Sequence, residues 1–263
     1  MSFLQKLFLI QEKNNSLLCV GLDPDISRIP EGANGVVHFL KNIIDETHDL
    51  VCCYKPQIAY FSSYGGESDL IEIIKYIYTN YPDIPVILDA KRGDIGSTAD
   101  QYAREIFDRY GADAITVNPY MGGDTIEPYL SYEGKGVIVL CKTSNPGSGD
   151  FENLELQNGR KLYEEVAKRA GEDWSKKGEV LLVVGGTYPD EIARVRNIVG
   201  DDMVFLIPGI GAQGGDIEAI VKAAKNSQGA GMIINSARAV LYPQIGTSRE
   251  EAIRTRDIIN HHR

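Results

Sequence analysis

Eight short, nearly unbroken apolar runs, at residues 17–22, 51–54, 86–89, 114–118, 136–142, 180–185, 204–208 and 231–235, alternate along this chain with stretches of helical periodicity. No other feature restricts the fold as much. A strand with one face in water alternates apolar and polar side chains, whereas a strand covered on both faces need not, so these runs read as parallel strands packed beneath helices. The spacers supply those helices, over 36–50, 68–79, 98–110, 159–174, 191–198, 216–225 and 249–259. Eight strand–helix units in 263 residues, joined by right-handed crossovers, predict an α/β fold: a (β/α)8 TIM barrel of the phosphate-binding type, as one domain over residues 1–263. An open doubly wound sheet is the competing fold, because Gly209-Ile210-Gly211-Ala212-Gln213-Gly214 matches G-x-G-x-x-G after a strand. A dinucleotide site also needs an acidic residue at the end of the next strand, and that strand ends in Asn235. The glycines therefore read as a phosphate loop without a nucleotide fold.

The net charge of −10 argues against nucleic acid or an anionic membrane as a partner, and no run of Lys or Arg makes a local exception. An anionic ligand has to be caught by a local pocket. No apolar window is long enough to span a membrane, and residues 1–12 read as an amphipathic helix, with Lys6 inside the apolar stretch and no small-residue cleavage site. Cys19, Cys52, Cys53 and Cys141 fall inside apolar runs, as small buried hydrophobes of a cytoplasmic, reducing environment would. His38, His48, His261 and His262 lie away from strand ends, which disfavours histidine-based hydrolysis and His-ligated zinc.

In a barrel of this kind the C-terminal strand ends converge on one face, where active sites sit. Read in order, those ends carry Asp23, Lys55, Asp89 with Lys91 and Asp94, Asn118, Lys142 with Ser144, Gly185-Gly186-Thr187, the 209–215 loop, and Ser236 with Arg238. Asp89 and Lys91 are two apart on a strand, so their side chains are expected on one face. Burying ionised groups costs several kcal/mol each unless they are paired, so stability alone gives little reason for Asp-x-Lys-x-x-Asp at the end of an apolar strand. The Gly-rich turn after the seventh strand and Arg238 after the eighth suit a phosphate, with Gln213 as an additional donor. The Gly/Ser/Asn-rich stretch 143–158 has the composition of a lid.

Taken together, Gly21-Leu22-Asp23-Pro24, Tyr54-Lys55-Pro56, Asp89-Ala90-Lys91-Arg92-Gly93-Asp94-Ile95-Gly96-Ser97-Thr98, Pro208 to Gly215 and Ser236-Ala237-Arg238 closely resemble the orotidine 5′-phosphate decarboxylase family, in its longer bacterial form. The resemblance covers about residues 19–242, with the motifs in the family's order. It implies a catalytic network of Lys55, Asp89, Lys91 and Asp94. It also implies a homodimer in which Asp94, Ile95 and Thr98 reach into the partner's site. Ribose contacts would fall to Asp23, Lys55 and Thr98, the pyrimidine contact to Ser144, and phosphate contacts to Gln213, Arg238 and backbone at Pro208, Gly209, Gly211 and Ala237. No metal or organic cofactor is implied. The chain departs from shorter members in its extended loop after Ser144 and in Asn235-Ser236-Ala237-Arg238, where many have Gly-Arg. A Mg2+-dependent sugar-phosphate decarboxylase or aldolase of the same superfamily is the nearest alternative. Such enzymes are expected to place an acidic metal ligand at the end of the second strand, where this chain has Lys55. A non-catalytic nucleotide-binding barrel is the other.

Overall fold

A computed structural model describes residues 1–209 and 216–263 of the chain. The strands are β1 (Leu18–Leu22), β2 (Cys53–Pro56), β3 (Ile87–Arg92), β4 (Ala114–Val117), β5 (Gly136–Lys142), β6 (Glu179–Val184), β7 (Phe205–Ile207) and β8 (Met232–Ser236). They form one sheet in the order β2-β1-β8-β7-β6-β5-β4-β3, every pair parallel. The two ends of that order meet through parallel bridges Tyr54↔Val86 and Gln57↔Asp89, and the Tyr54 N–H donates to the Pro85 carbonyl at 3.1 Å. The sheet is thereby nearly closed, and the expected TIM barrel is the observed fold. β1, β2, β4 and β8 are buried along their whole length, which is why their sequences need no polar alternation.

Several boundaries differ from the sequence expectation, and three of the differences have a clear local reason. Val51 and Cys52 lead into β2, with the Cys52 N–H on the Leu18 carbonyl, so the strand starts later and Lys55 lies inside it, paired with Gly21. The helix expected from residue 159 begins at Leu162, because Gly159 takes φ +77° in a turn closed by Leu156 N–H on the Arg160 carbonyl. The helix expected over 98–110 is α-helical over Gly96–Arg104 and then a π turn over Glu105–Arg109. Glu105 there takes both Nε and an Nη of Arg92 at 3.1 Å, tying the helix back to the end of β3.

The N-terminal face of the barrel is stoppered by the helix Phe3–Lys13, which Ser2 and Gln5 start with a reciprocal capping box. Its Phe3, Leu7 and Ile10 are buried. Phe3 occupies the space of a missing side chain: a Cβ on Gly136 would stand 2.4 Å from the Phe3 ring, so only glycine can open β5. On the same face Arg196, 8% exposed, donates to the carbonyls of Gly200, Met203, Ala224 and Gly231 at 2.7–3.0 Å and stacks 3.9 Å from the Phe205 ring centroid. Gly200 and Ala224 end the helices Pro189–Val199 and Ile217–Ala224, so the guanidinium meets two negative dipole ends. Replacing it with alanine strands those carbonyls. Arg196→Ala is expected to lose about 3 kcal/mol of stability, read as a lower urea midpoint, because hydrogen bonds to a charged group contribute more than neutral ones. Since the opposite face carries the polar cluster, that cluster should be undisturbed in the folded fraction.

Candidate active site

The centre of the C-terminal face is Asp89, 8% exposed, with two ammonium groups on its two oxygens. Lys55 Nζ lies 2.9 Å from Oδ2 and Lys91 Nζ 2.6 Å from Oδ1. Lys55 is also buried, reaching Asp89 from the neighbouring strand. The electrostatics follow from this packing. Burial by itself would push the Asp89 carboxyl up, but Lys55 and Lys91 overcome that and hold it well below the usual carboxylate range. Burial likewise works against the Lys55 ammonium, and Asp89 followed by Asp23 hold it above its ordinary range. Asp23, just past β1, is raised by burial despite Lys55, and its Oδ1 is sequestered without a hydrogen-bond partner among the described residues. The Lys91 side chain is 47% exposed and brings its ammonium to the open end of the barrel.

Asp89 and Lys91 do converge, though not by simple strand alternation. Leu88 pairs with Ile115 and Arg92 with Val117, so Asp89, Ala90 and Lys91 together stand opposite Thr116 alone. β3 bulges here, and Lys91 adopts φ +45°, a left-handed conformation uncommon outside glycine. The bulge turns the Lys91 ammonium back over Asp89. Thr116, 1% exposed on β4, fills the gap: its Oγ1 donates to Asp89 Oδ1 at 2.8 Å and accepts the N–H groups of Ala90 and Lys91 at 3.0 and 2.9 Å. Sequence reasoning missed Thr116. The available signal was a lone hydroxyl inside an apolar strand, two residues before Asn118.

The other expected residues are placed around this centre. Asp94 makes no bond to the lysines of its own chain; its Oδ1 accepts the Ile95 N–H at 2.8 Å, and Ile95 and Thr98 are exposed. Ser144 follows β5 and packs against β6, where a Cβ on Gly185 would stand 2.7 Å from the Ser144 nitrogen. The Thr187 hydroxyl donates to the Ser144 carbonyl at 3.3 Å. Lys142, 1% exposed, anchors the loop beyond: its Nζ lies 2.7 Å from Ser148 Oγ and 3.0 Å from Glu152, which also takes the Thr143 N–H. Glu152 was not foreseen, and the lid-like stretch contains a 3-10 helix over Pro146–Asp150. Pro208 accepts the Gly186 N–H, and Gly209 takes φ +96°. Gly211 and Gln213 lie outside the described residues. Ala237 caps the short helix Arg238–Leu241, and Arg238 borders a cavity of about 890 Å³ together with Arg28 and Tyr242. Among the described residues no group of three or more His, Cys, Asp or Glu could hold a metal ion, and no helix is long and apolar enough to cross a membrane.

Comparison with known proteins identifies the family. The sequence is 54% identical to orotidine 5′-phosphate decarboxylase of Ralstonia pickettii (strain 12J) over 272 aligned positions that cover both chains completely. It is 55% identical to the enzyme of that name from Cupriavidus necator, covering all of this chain and 99% of the relative. The solved structure of Leishmania donovani OMP decarboxylase superposes with a TM-score of 0.89 at 41% identity, covering 99% of this chain and 98% of that one. Residues 16–247 match the model of the orotidine 5′-phosphate decarboxylase / HUMPS family, and with an ammonium–carboxylate–ammonium array at the barrel mouth the chain belongs to that family.

Proposed function

We propose that this chain removes CO2 from orotidine 5′-phosphate to give uridine 5′-phosphate, the last step of de novo UMP synthesis, and does so in the cytoplasm without metal or organic cofactor. The Lys55–Asp89–Lys91 array carries the reading, supported by 54% identity to a full-length relative of that name. Loss of CO2 from C6 leaves an electron pair in the ring plane, outside the π system, so the developing carbanion needs an external positive charge. Lys91 supplies that charge and then a proton to the same carbon. Asp89, kept ionised by the two lysines, aims the Lys91 ammonium through the 2.6 Å contact to its Oδ1. The same array argues against a divalent-metal aldolase of this superfamily, because Lys55, next to the last residue of β2, occupies the position where such a metal would need an acidic ligand.

Substrate is held from three sides. Asp23 and Lys55 serve the ribose, Ser144 the pyrimidine, and Arg238 with backbone near Pro208, Gly209 and Ala237 the phosphate. Binding energy at the phosphate, remote from C6, drives closure and the expulsion of water. Asp94, Ile95 and Thr98 complete the site of a second copy of the chain in a homodimer. Exposed Ile95, Tyr120 and Met121 support that role, since Gly93, next to Asp94, lies against Met121 and exposed apolar side chains suit a contact surface. The direct test is turnover of orotidine 5′-phosphate by purified protein in excess EDTA, followed by loss of substrate absorbance. Rapid conversion to uridine 5′-phosphate is expected. No turnover with intact uridine 5′-phosphate binding would favour a non-catalytic nucleotide barrel, and activity that EDTA abolishes would favour the metal-dependent enzymes.

A further inference from the structure

We infer that Thr116 is a positioning residue for the decarboxylation: its hydroxyl fixes both the bulged backbone that presents Lys91 and the carboxylate that aims it. The inference rests on the proposed role of Lys91. Three contacts converge on one oxygen. Thr116 Oγ1 accepts the N–H groups of Ala90 and Lys91 at 3.0 and 2.9 Å, and its own proton goes to Asp89 Oδ1 at 2.8 Å. A hydroxyl has one donor and two acceptor sites, so all of its capacity is used.

The geometry makes these bonds hard to replace. The bulge sets Asp89, Ala90 and Lys91 opposite Thr116 and takes this stretch out of regular ladder pairing, so both N–H groups turn to the Thr116 hydroxyl instead of to strand carbonyls. Lys91 is one of two non-glycine residues with positive φ among the described residues, and a bulky side chain holds that conformation only when its surroundings enforce it. The enforcing group here is the Thr116 hydroxyl. Asp89 Oδ1 also receives Lys91 Nζ at 2.6 Å, so one carboxylate oxygen joins the Thr116 proton to the reactive ammonium. Without the hydroxyl, the bulge and the ammonium above it lose their common reference point, while residues that grip ribose and phosphate lie on other strands.

Thr116→Val keeps the shape and removes the hydroxyl; Thr116→Ser keeps the hydroxyl; Thr116→Cys retains similar size with a weak donor and acceptor. Wild type and variants would be assayed for turnover of orotidine 5′-phosphate and for the Kd of uridine 5′-phosphate. The expected result is a fall in kcat of about 10- to 100-fold for Thr116→Val, by analogy with the loss when hydrogen-bond partners that orient metal ligands are removed, with Kd changed less than about threefold. Thr116→Ser should restore most of kcat and Thr116→Cys should fall between. A valine variant with wild-type kcat would overturn the inference, as would equal losses in kcat and binding, or a serine variant as impaired as valine. Should valine prevent folding, a cysteine variant with wild-type kcat would overturn it equally. If the wild type itself does not turn over orotidine 5′-phosphate, the parent reading falls and this one with it.

Discussion

Lys91→Ala is expected to reduce turnover of orotidine 5′-phosphate by at least about 10⁴-fold, combining loss of an acid with loss of charge stabilisation at C6. Binding of uridine 5′-phosphate should remain within about tenfold of wild type, because uniform binding comes mostly from phosphate and ribose. Three observations separate this outcome from simple misfolding. The Lys91 side chain is 47% exposed, so its removal opens no cavity in the core. Asp89 keeps Lys55 at 2.9 Å and the Thr116 hydroxyl at 2.8 Å, so no buried charge is left unpaired. Alanine also bears a Cβ, as lysine does, so the φ of +45° is no easier or harder to hold, whereas glycine would relax the bulge and confuse the comparison. Steady-state kinetics beside calorimetric titration with uridine 5′-phosphate decides the matter. Substantial residual turnover would remove Lys91 from the acid's role.

Much of this arrangement was legible in the sequence because parallel barrels write themselves plainly. Buried strands are continuous apolar runs, and residues at or just past the end of each run lie on the functional face, so Asp23, Lys55, Asp89 and Lys91 are gathered by the sequence alone. The route by which Asp89 and Lys91 meet was not legible. Alternation puts residues two apart on one face, but a bulge is a property of the pair of strands, and nothing in Asp89-Ala90-Lys91 alone specifies that Thr116 faces all three. Thr116 escaped notice for the same reason, since one hydroxyl in Ala114–Val117 is compatible with ordinary strand composition. Glu152 shows a second limit. It lies ten residues beyond Lys142, and their ion pair exists only because the 3-10 turn over Pro146–Asp150 folds the loop back on β5. Local sequence carries periodicity well and carries the return path of a loop poorly.

The second large effect concerns Asp94, where two wirings make opposite predictions. Among the described residues of its own chain Asp94 accepts only the adjacent Ile95 N–H, and neither Lys55 nor Lys91 bonds to it. Lys91 shares Asp89 with Lys55, so a carboxylate supplied by another copy of the chain would give Lys91 a partner of its own. Asp94→Asn alone is expected to reduce kcat by about 10²- to 10⁴-fold in a homodimer, but that loss does not say whose site failed. Mixed dimers do. With differently tagged Lys91→Ala and Asp94→Asn chains co-expressed and the heterodimer isolated, crossed sites give one site lacking both residues and one site possessing both. Such a heterodimer should recover about half of wild-type activity, although each parent homodimer is nearly inert. If Asp94 instead served the site of its own chain, each site of the heterodimer would lack one essential residue and activity would stay near zero. The two outcomes differ by the full catalytic contribution of the missing group, so a single purified heterodimer distinguishes a site shared between subunits from one contained within each.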